Sequence, residues 1–306
     1  MQGIGGGGSD LLSPEDLEGQ LRDAEEQAQD DTFETEVNDY LSSLLVDLNS
    51  RNAGETQIVL ERIKEDIENE IEGTVDTLFG GSVSKHTYVN GISDVDALVL
   101  LNKSELADKS PDEVKTFLAD CLSDRYGNSA VGVGALAVTL SKDDQEIQLL
   151  PALRHGQGFK ISDSDGRTWS KVYPRRFAKA LTKANERLGR KLVPCIKLLK
   201  AAIAKLSERE QISGYHVESM AINVFKGYKG RLTQESMVRH FLKEAAGHVL
   251  KPIKDSSGQS VNVDDYLGIA DSFERQTVAS AFIRLRLKIN RAGAPGSLDE
   301  WKDVFE

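Results

Sequence analysis

Asp94 and Asp96 stand one residue apart, about a dozen positions after the turn Gly80-Gly81-Ser82. Val95 separates them and the apolar run Ala97-Leu98-Val99-Leu100-Leu101 follows, so the segment reads as a strand entering a core. Side chains alternate along a strand, which puts both carboxylates on one face. Two carboxylates so placed can hold hard cations such as Mg²⁺ against a triphosphate. The glycines let backbone N–H groups approach phosphate oxygens, and the Ser82 hydroxyl adds a further hydrogen bond. An isolated Asp-x-Asp pair usually lies on a solvated face. The glycine turn before this one and the apolar strand after it give the pair its meaning.

The surrounding pattern supplies the elements that must hold these groups. Phe33, Val37, Tyr40, Leu41, Leu44, Leu45 and Leu48 repeat at helical spacing over 32–52. A second helix is expected over 55–79, with Ile58, Leu60, Ile63, Ile67 and Ile71 on its apolar side, ending at the glycines. Strands are expected at 94–102, 130–140 and 145–151, with a helix at 111–126. From Arg175 onward the pattern is helical, at about 175–188, 192–207, 214–226, 231–249 and 269–291, with a loop at Asp255-Ser256-Ser257-Gly258. Residues 1–31, with the linker-like Gly3 to Ser9 and a dense acidic run, are expected to be a disordered tail. This gives a core at 32–174 and a helical lobe at 175–306.

Within the helical half, Cys195-Ile-Lys-Leu-Leu-Lys200 leads through a charged loop to Ser213-Gly-Tyr-His-Val-Glu-Ser219. Together with the Gly-Gly-Ser…Asp-x-Asp signature, these segments resemble the polymerase-β-like nucleotidyltransferases, in the branch of cyclic GMP-AMP synthase and oligoadenylate synthetase. The bacterial members of that branch, the CD-NTases of antiphage signalling, are similar in three more places: Trp169-Ser-Lys-Val-Tyr-Pro174, Leu150-Pro151-Ala152, and the Asp255 loop with Val263-Asp-Asp-Tyr-Leu-Gly268. The resemblance spans about residues 33–290. It implies an α/β fold, a nucleotidyltransferase core with a mixed sheet, plus a C-terminal helical lobe closing a nucleotide cleft.

It also implies roles. Gly81 and Ser82 would bind the donor triphosphate, and Asp94 and Asp96 would ligate two Mg²⁺ (or Mn²⁺) ions. Lys200 would touch the polyphosphate, Ser213 would lie at the nucleotide, and Tyr215 would stack on a base. His216 reads as an inward structural residue. His86, His155, His240 and His248 lack zinc-ligand spacing. One position departs from the family pattern: where a third carboxylate is usual, Glu146-Ile-Gln-Leu-Leu-Pro151 presents Gln148. An amide oxygen coordinates without bringing charge. Glu146 lies one pleat earlier, about 7 Å away, and could substitute through a water; Asp143 and Asp144 read as solvated.

The implied activity is a Mg²⁺-dependent joining of nucleoside triphosphates into a cyclic or short linear oligonucleotide signal, read by a downstream effector in antiviral defence. Two other readings stay open: a nucleotide- or partner-binding protein that lost turnover with the third acid, and a transferase acting on another hydroxyl acceptor. Composition bounds all three. The 306 residues are 39% hydrophobic and 28% charged, with no membrane-length apolar run and no signal-peptide h-region, which favours the cytoplasm. Cys121 and Cys195 read as reduced core thiols. The net charge of -11 speaks against an extended nucleic-acid duplex as partner, whereas the Arg- and Lys-rich stretch 167–205 suits a local anionic ligand.

Overall fold

The structure, a computed structural model, describes residues 14–50, 53–142, 145–163, 165–257, 260–291 and 298–306. Helices α1 (Pro14–Leu48) and α2 (Ala53–Glu68) precede β1 (Gly73–Phe79), the single turn α3 (Gly81–Ser84) and β2 (Val95–Ser104). Next come α4 (Pro111–Tyr126), β3 (Val131–Val133), β4 (Val138–Lys142), β5 (Gln145–His155), β6 (Gly158–Ser162) and β7 (Trp169–Val172). The remainder is helical: α5 (Pro174–Arg187), α6 (Leu192–Ala204), α7 (Gly214–Val224), α8 (Gln234–His248), α9 (Phe273–Arg291) and α10 (Leu298–Phe305). Among the described residues no helix is long and apolar enough to cross a membrane.

The seven strands form one sheet in the order β1-β2-β5-β4-β3, with β6 pairing β5 and β7 pairing β6. Only β2 and β5 run parallel, so the sheet is mixed as expected. That parallel pairing sets Asp96 level with Gln148 and Val95 level with Ile147. The alternate residues Val95, Ala97 and Val99 of β2, and Ile147 and Leu149 of β5, point into a core closed by Leu60, Ile63 and Ile67 of α2 and Val114, Leu118 and Leu122 of α4. The opposite alternation turns Asp96 and Gln148 away from that core. Helix α4 is fixed at its start by a reciprocal cap. The Ser110 hydroxyl accepts from the Glu113 N–H, the Glu113 carboxylate accepts from the Ser110 N–H at 2.8 Å, and Pro111 opens the first turn.

Several expected boundaries differ. Helix α2 stops at Glu68, not Phe79, because Thr74, Val75, Thr77 and Phe79 favour the pleated strand β1. The span expected as one strand over 130–140 is the hairpin β3–β4, turned where the Gly134 N–H meets the Ala137 carbonyl at 2.8 Å. Strands β6 and β7 and helix α10 carried too short a period to be anticipated, and the last long helix begins at Phe273. The described part of the expected disordered tail, 14–31, continues α1; residues 1–13 lie outside the described residues, as do Asp143, Asp144 and Gly258. Glu, Gln, Ala and Leu dominate 15–31, and these residues lose little freedom in a helix.

Helix α1 packs with the helices that follow Pro174. Its Val37, Leu41 and Leu48 share one apolar core with α5 through α10, around Leu198, Phe241, Phe282 and Trp301. The Glu235 N–H donates to Asn38 and the Thr233 hydroxyl to Glu34, fastening α1 to the start of α8. Behind α7, the fully buried Arg275 binds the Asp264 carboxylate at 2.7 Å and donates to the carbonyls of Val249, Gly268 and Ile269. All its N–H directions meet acceptors, which a buried guanidinium requires.

Gly73 opens β1 at φ +106°, and a Cβ there would lie 2.2 Å from the Lys103 carbonyl oxygen. Gly73→Ala is therefore expected to cost about 1–3 kcal/mol of folding free energy, read as a lower midpoint in urea with an unchanged slope.

Candidate active site

The turn between β1 and β2 brings backbone and carboxylate into close contact. The Gly80 N–H donates to the Asp96 carbonyl at 2.8 Å, extending the β1–β2 ladder by one rung. Gly81 then takes φ +43°, and a Cβ on it would lie 1.5 Å from Asp96 Oδ2. Only glycine fits there. The Ser82 N–H donates to the Asp96 carboxylate, and the chain folds back through Thr87, whose N–H meets the Ser82 carbonyl at 2.9 Å.

Asp94 and Asp96 flank Val95 on the face turned from the sheet core, Asp94 exposed and Asp96 half-buried. Burial pushes the Asp96 carboxyl up to about 6; Asp94 and Glu218 add to the rise, while Lys85 and the Ser82 N–H oppose it. Asp94 is also raised, first by burial and then by the negative charge of Glu146. The Gln148 amide nitrogen donates to Asp94 Oδ2 at 2.8 Å. Gln148 thus lies beside the acid pair as a hydrogen-bond donor to it. Glu146 acts on Asp94 only through its charge.

The helical side supplies the facing wall. Glu218 of α7 is 1% exposed, and its carboxylate binds Lys85 Nζ at 2.5 Å, Lys200 Nζ at 2.8 Å and the Thr87 hydroxyl at 2.5 Å. Burial would push the Glu218 carboxyl up, but the charges and hydrogen bonds of Lys85 and Lys200 hold it below the usual range. Lys200 gives another hydrogen bond to the Thr87 carbonyl at 3.0 Å, and burial lowers its ammonium despite Glu218. Lys85 lies 5.1 Å from the Phe177 ring centre and 5.0 Å from that of Tyr215.

Every expected site residue except Gln148 lines one cleft of about 340 Å³ between the sheet and α6–α7. Three of them are engaged in ways the sequence did not indicate. The Lys200 ammonium is buried against Glu218 and Thr87 rather than free toward the cleft. The Ser213 hydroxyl caps α7 by accepting from the His216 N–H. The Tyr215 hydroxyl donates to Asp255 at 2.8 Å, and its ring meets Phe177 edge-on with centres 4.7 Å apart. His216 is inward as expected. Burial and Arg275 drop it to about 4, leaving it neutral although it lies 3.6 Å from Asp264, and its Nδ1 faces the Tyr266 hydroxyl at 3.0 Å. Sequence reasoning missed Lys85, Thr87 and Glu218. Glu218 lies inside Ser213–Ser219, while Lys85 and Thr87 lie between the Gly80–Ser82 turn and Asp94, and the signal available was a lone acid in one segment facing a lysine in the other.

Residues 35–185 match the family described as the Second Messenger Oligonucleotide or Dinucleotide Synthetase domain, SMODS. The chain carries a SMODS domain. It is a nucleotidyltransferase with the fold of the CD-NTases. The CD-NTase CdnG of Bradyrhizobium diazoefficiens, solved with GTP, superposes at a TM-score of 0.65 and 14% identity, over 88% of this chain and 95% of that one. CdnC of E. coli MS115-1 with ATP gives 0.62 and 15%, over 85% and 93%. DncV of Escherichia coli with 3′-deoxy GTP gives 0.62 and 13%, over 96% and 90%. No curated protein matches the chain.

The SMODS cleft suits a divalent cation. Two raised carboxylates side by side repel each other, and a cation between them would relieve both. Among the described residues no group of three or more His, Cys, Asp or Glu side chains is arranged to hold a metal. The protein's own donors are therefore Asp94 and Asp96, with the Gln148 amide oxygen available once its side chain turns over.

Two outcomes follow from this geometry. Asp96 is raised in the folded chain, so its ionisation weakens the metal-free fold as pH climbs through 6. In chelator, Asp96→Asn is expected to melt above wild type at pH 8, with the gap closing as pH falls from 6 toward 4, as differential scanning fluorimetry would read. Gln148→Asp adds a third carboxylate against the pair. Its Tm is expected to drop by several degrees in chelator, and to rise on adding Mg²⁺ by more than that of wild type.

Proposed function

We propose that the chain joins nucleoside triphosphates into a cyclic or short linear oligonucleotide signal, releasing pyrophosphate at each linkage. The observation that carries this reading is the acid pair Asp94–Asp96 set directly against the Gly81–Ser82 turn, in a cleft whose far wall belongs to the helical lobe. Mg²⁺ or Mn²⁺, held by Asp94 and Asp96, would neutralise the donor's phosphates and make the acceptor hydroxyl more acidic. The Gly81 turn leaves room for phosphate oxygens beside the carboxylates, where a side chain would exclude them. Lys85, at the end of the same turn, supplies positive charge beside it. A sugar hydroxyl of the acceptor attacks the donor's α-phosphorus; the new P–O bond forms as the bond to pyrophosphate breaks, and the hydroxyl proton leaves toward the carboxylate pair. Catalysis in such a site is positioning and charge neutralisation. Tyr215, half-buried, fixed by Asp255 and lining the cleft, would serve as a wall for a nucleotide base.

The CD-NTase resemblance supports a place in antiphage defence, with the product read by a separate effector protein. Neighbours of this fold are described with ATP and GTP, and CdnC of E. coli MS115-1 also in a HORMA complex.

The test is incubation with all ribo- and deoxyribonucleoside triphosphates and Mg²⁺, with products resolved by mass. Phosphodiester-linked products and pyrophosphate are expected from wild type. Asp94→Asn and Asp96→Asn are each expected to reduce pyrophosphate release by about a thousandfold or more while circular dichroism stays unchanged. Equal turnover in wild type and both variants would overturn the assignment.

A further inference from the structure

Glu218 is an unusual residue to find in a cleft that suits polyanions. A bare carboxylate there would repel a triphosphate, yet this one is 1% exposed and wholly satisfied. It reaches Lys85 from the β1–β2 turn, Lys200 from α6 and the Thr87 hydroxyl from the turn's return, while Lys200 also holds the Thr87 carbonyl. Three of these contacts tie the sheet side of the cleft to its helical side, and the fourth, Glu218 to Lys200, joins α7 to α6. Lys200 is spent in this knot, its side chain 4% exposed. Lys85 keeps 12% exposure, borders the cleft, and lies against the rings of Phe177 and Tyr215. Of the two cations, Lys85 is the one with a side open to a ligand.

We propose that Glu218 is a positioning residue: it clamps the Gly81–Thr87 turn to α6 across the cleft and aims the Lys85 ammonium at the incoming polyphosphate, with Lys200 as a buried strut. The proposal rests on the reading of this cleft as the triphosphate site. Its consequence has a sign opposite to simple charge counting. Deleting a negative charge near a polyanion ordinarily tightens binding. Deleting Glu218 frees Lys85 from its anchor and leaves Lys200 buried without its counter-ion, so binding weakens.

The experiment is titration calorimetry of α,β-methylene analogues of the ribonucleoside triphosphates with Mg²⁺ into wild type, Glu218→Gln, Glu218→Asp, Lys85→Met and the double variant Lys85→Met/Glu218→Gln. Glu218→Gln is expected to weaken binding about tenfold or more, and Lys85→Met to weaken it comparably. The double variant is expected to be within about threefold of Lys85→Met, because the two residues act as one unit; a general packing defect would add its own loss instead. Glu218→Asp, which keeps the charge but shortens the reach, is expected to fall between Glu218→Gln and wild type, and it decides the matter if Glu218→Gln does not fold. Wild-type or tighter affinity in folded Glu218→Gln, or in Glu218→Asp where that variant alone folds, overturns the proposal. So do fully additive losses in the double variant. Wild type that binds none of the analogues overturns the reading of the cleft as a triphosphate site, a failure distinct from these.

Discussion

The closeness of Gly81 to the Asp96 carboxylate is the constraint on which the rest of the cleft depends. With no room for a Cβ between them, the backbone itself forms the floor beside the acid, and the Ser82 N–H is turned onto the carboxylate. That contact requires β1 and β2 to be adjacent and antiparallel up to Gly80, and β2 to lie beside β5 so that Gln148 comes level with Asp96. The register of the sheet, and hence the packing of α2 and α4 beneath it, is set by the same few residues. A slip of one position would turn Asp96 into the core and Val95 out of it.

The helical half has its own fixed point. Arg275 and Asp264 gather the carbonyls of Val249, Gly268 and Ile269 in a dry interior, and Asp264 also accepts from the Ile253 N–H at 3.0 Å. From this knot Tyr266 reaches both the Ser213 N–H and His216, at 3.0 Å each, and so sets where α7 begins. The placement of Tyr215 and Glu218 on the cleft wall therefore descends from a buried ion pair on the far side of their helix. Such a pair contributes little net stability of its own, but breaking it is costly.

Much of the cleft was legible in the residues because its chemistry is local. Gly81, Ser82, Asp94 and Asp96 lie within one short stretch, and strand alternation is enough to put the two acids on one face. The place of Gln148 ahead of Pro151 was singled out by the family resemblance, and the fold sets it beside Asp94. What sequence could not reveal were pairings that only the fold creates. Lys200 looks like a free cation in one dimension and is a buried partner of Glu218 in three. Ser213 and Tyr215 carry hydroxyls whose partners, His216 and Asp255, are decided by helix capping and by a loop forty positions away. Helix ends and the boundary near Glu68 were misplaced because Ile67 and Ile71 continue the helical period while Thr74 to Phe79 already favour a strand. The company kept by α1 was equally invisible: an apolar face is readable from its period, but not which of two cores it enters.

Burial holds the Asp96 carboxyl above the usual carboxylate range, which makes a proton a competitor for the place of a cation. A cation settling between the two aspartates would displace whatever proton Asp96 holds. The heat of filling the site then includes the ionisation heat of whichever buffer receives that proton. On the reading of this cleft as a metal and triphosphate site, acidification would act on its filling as a competitor would.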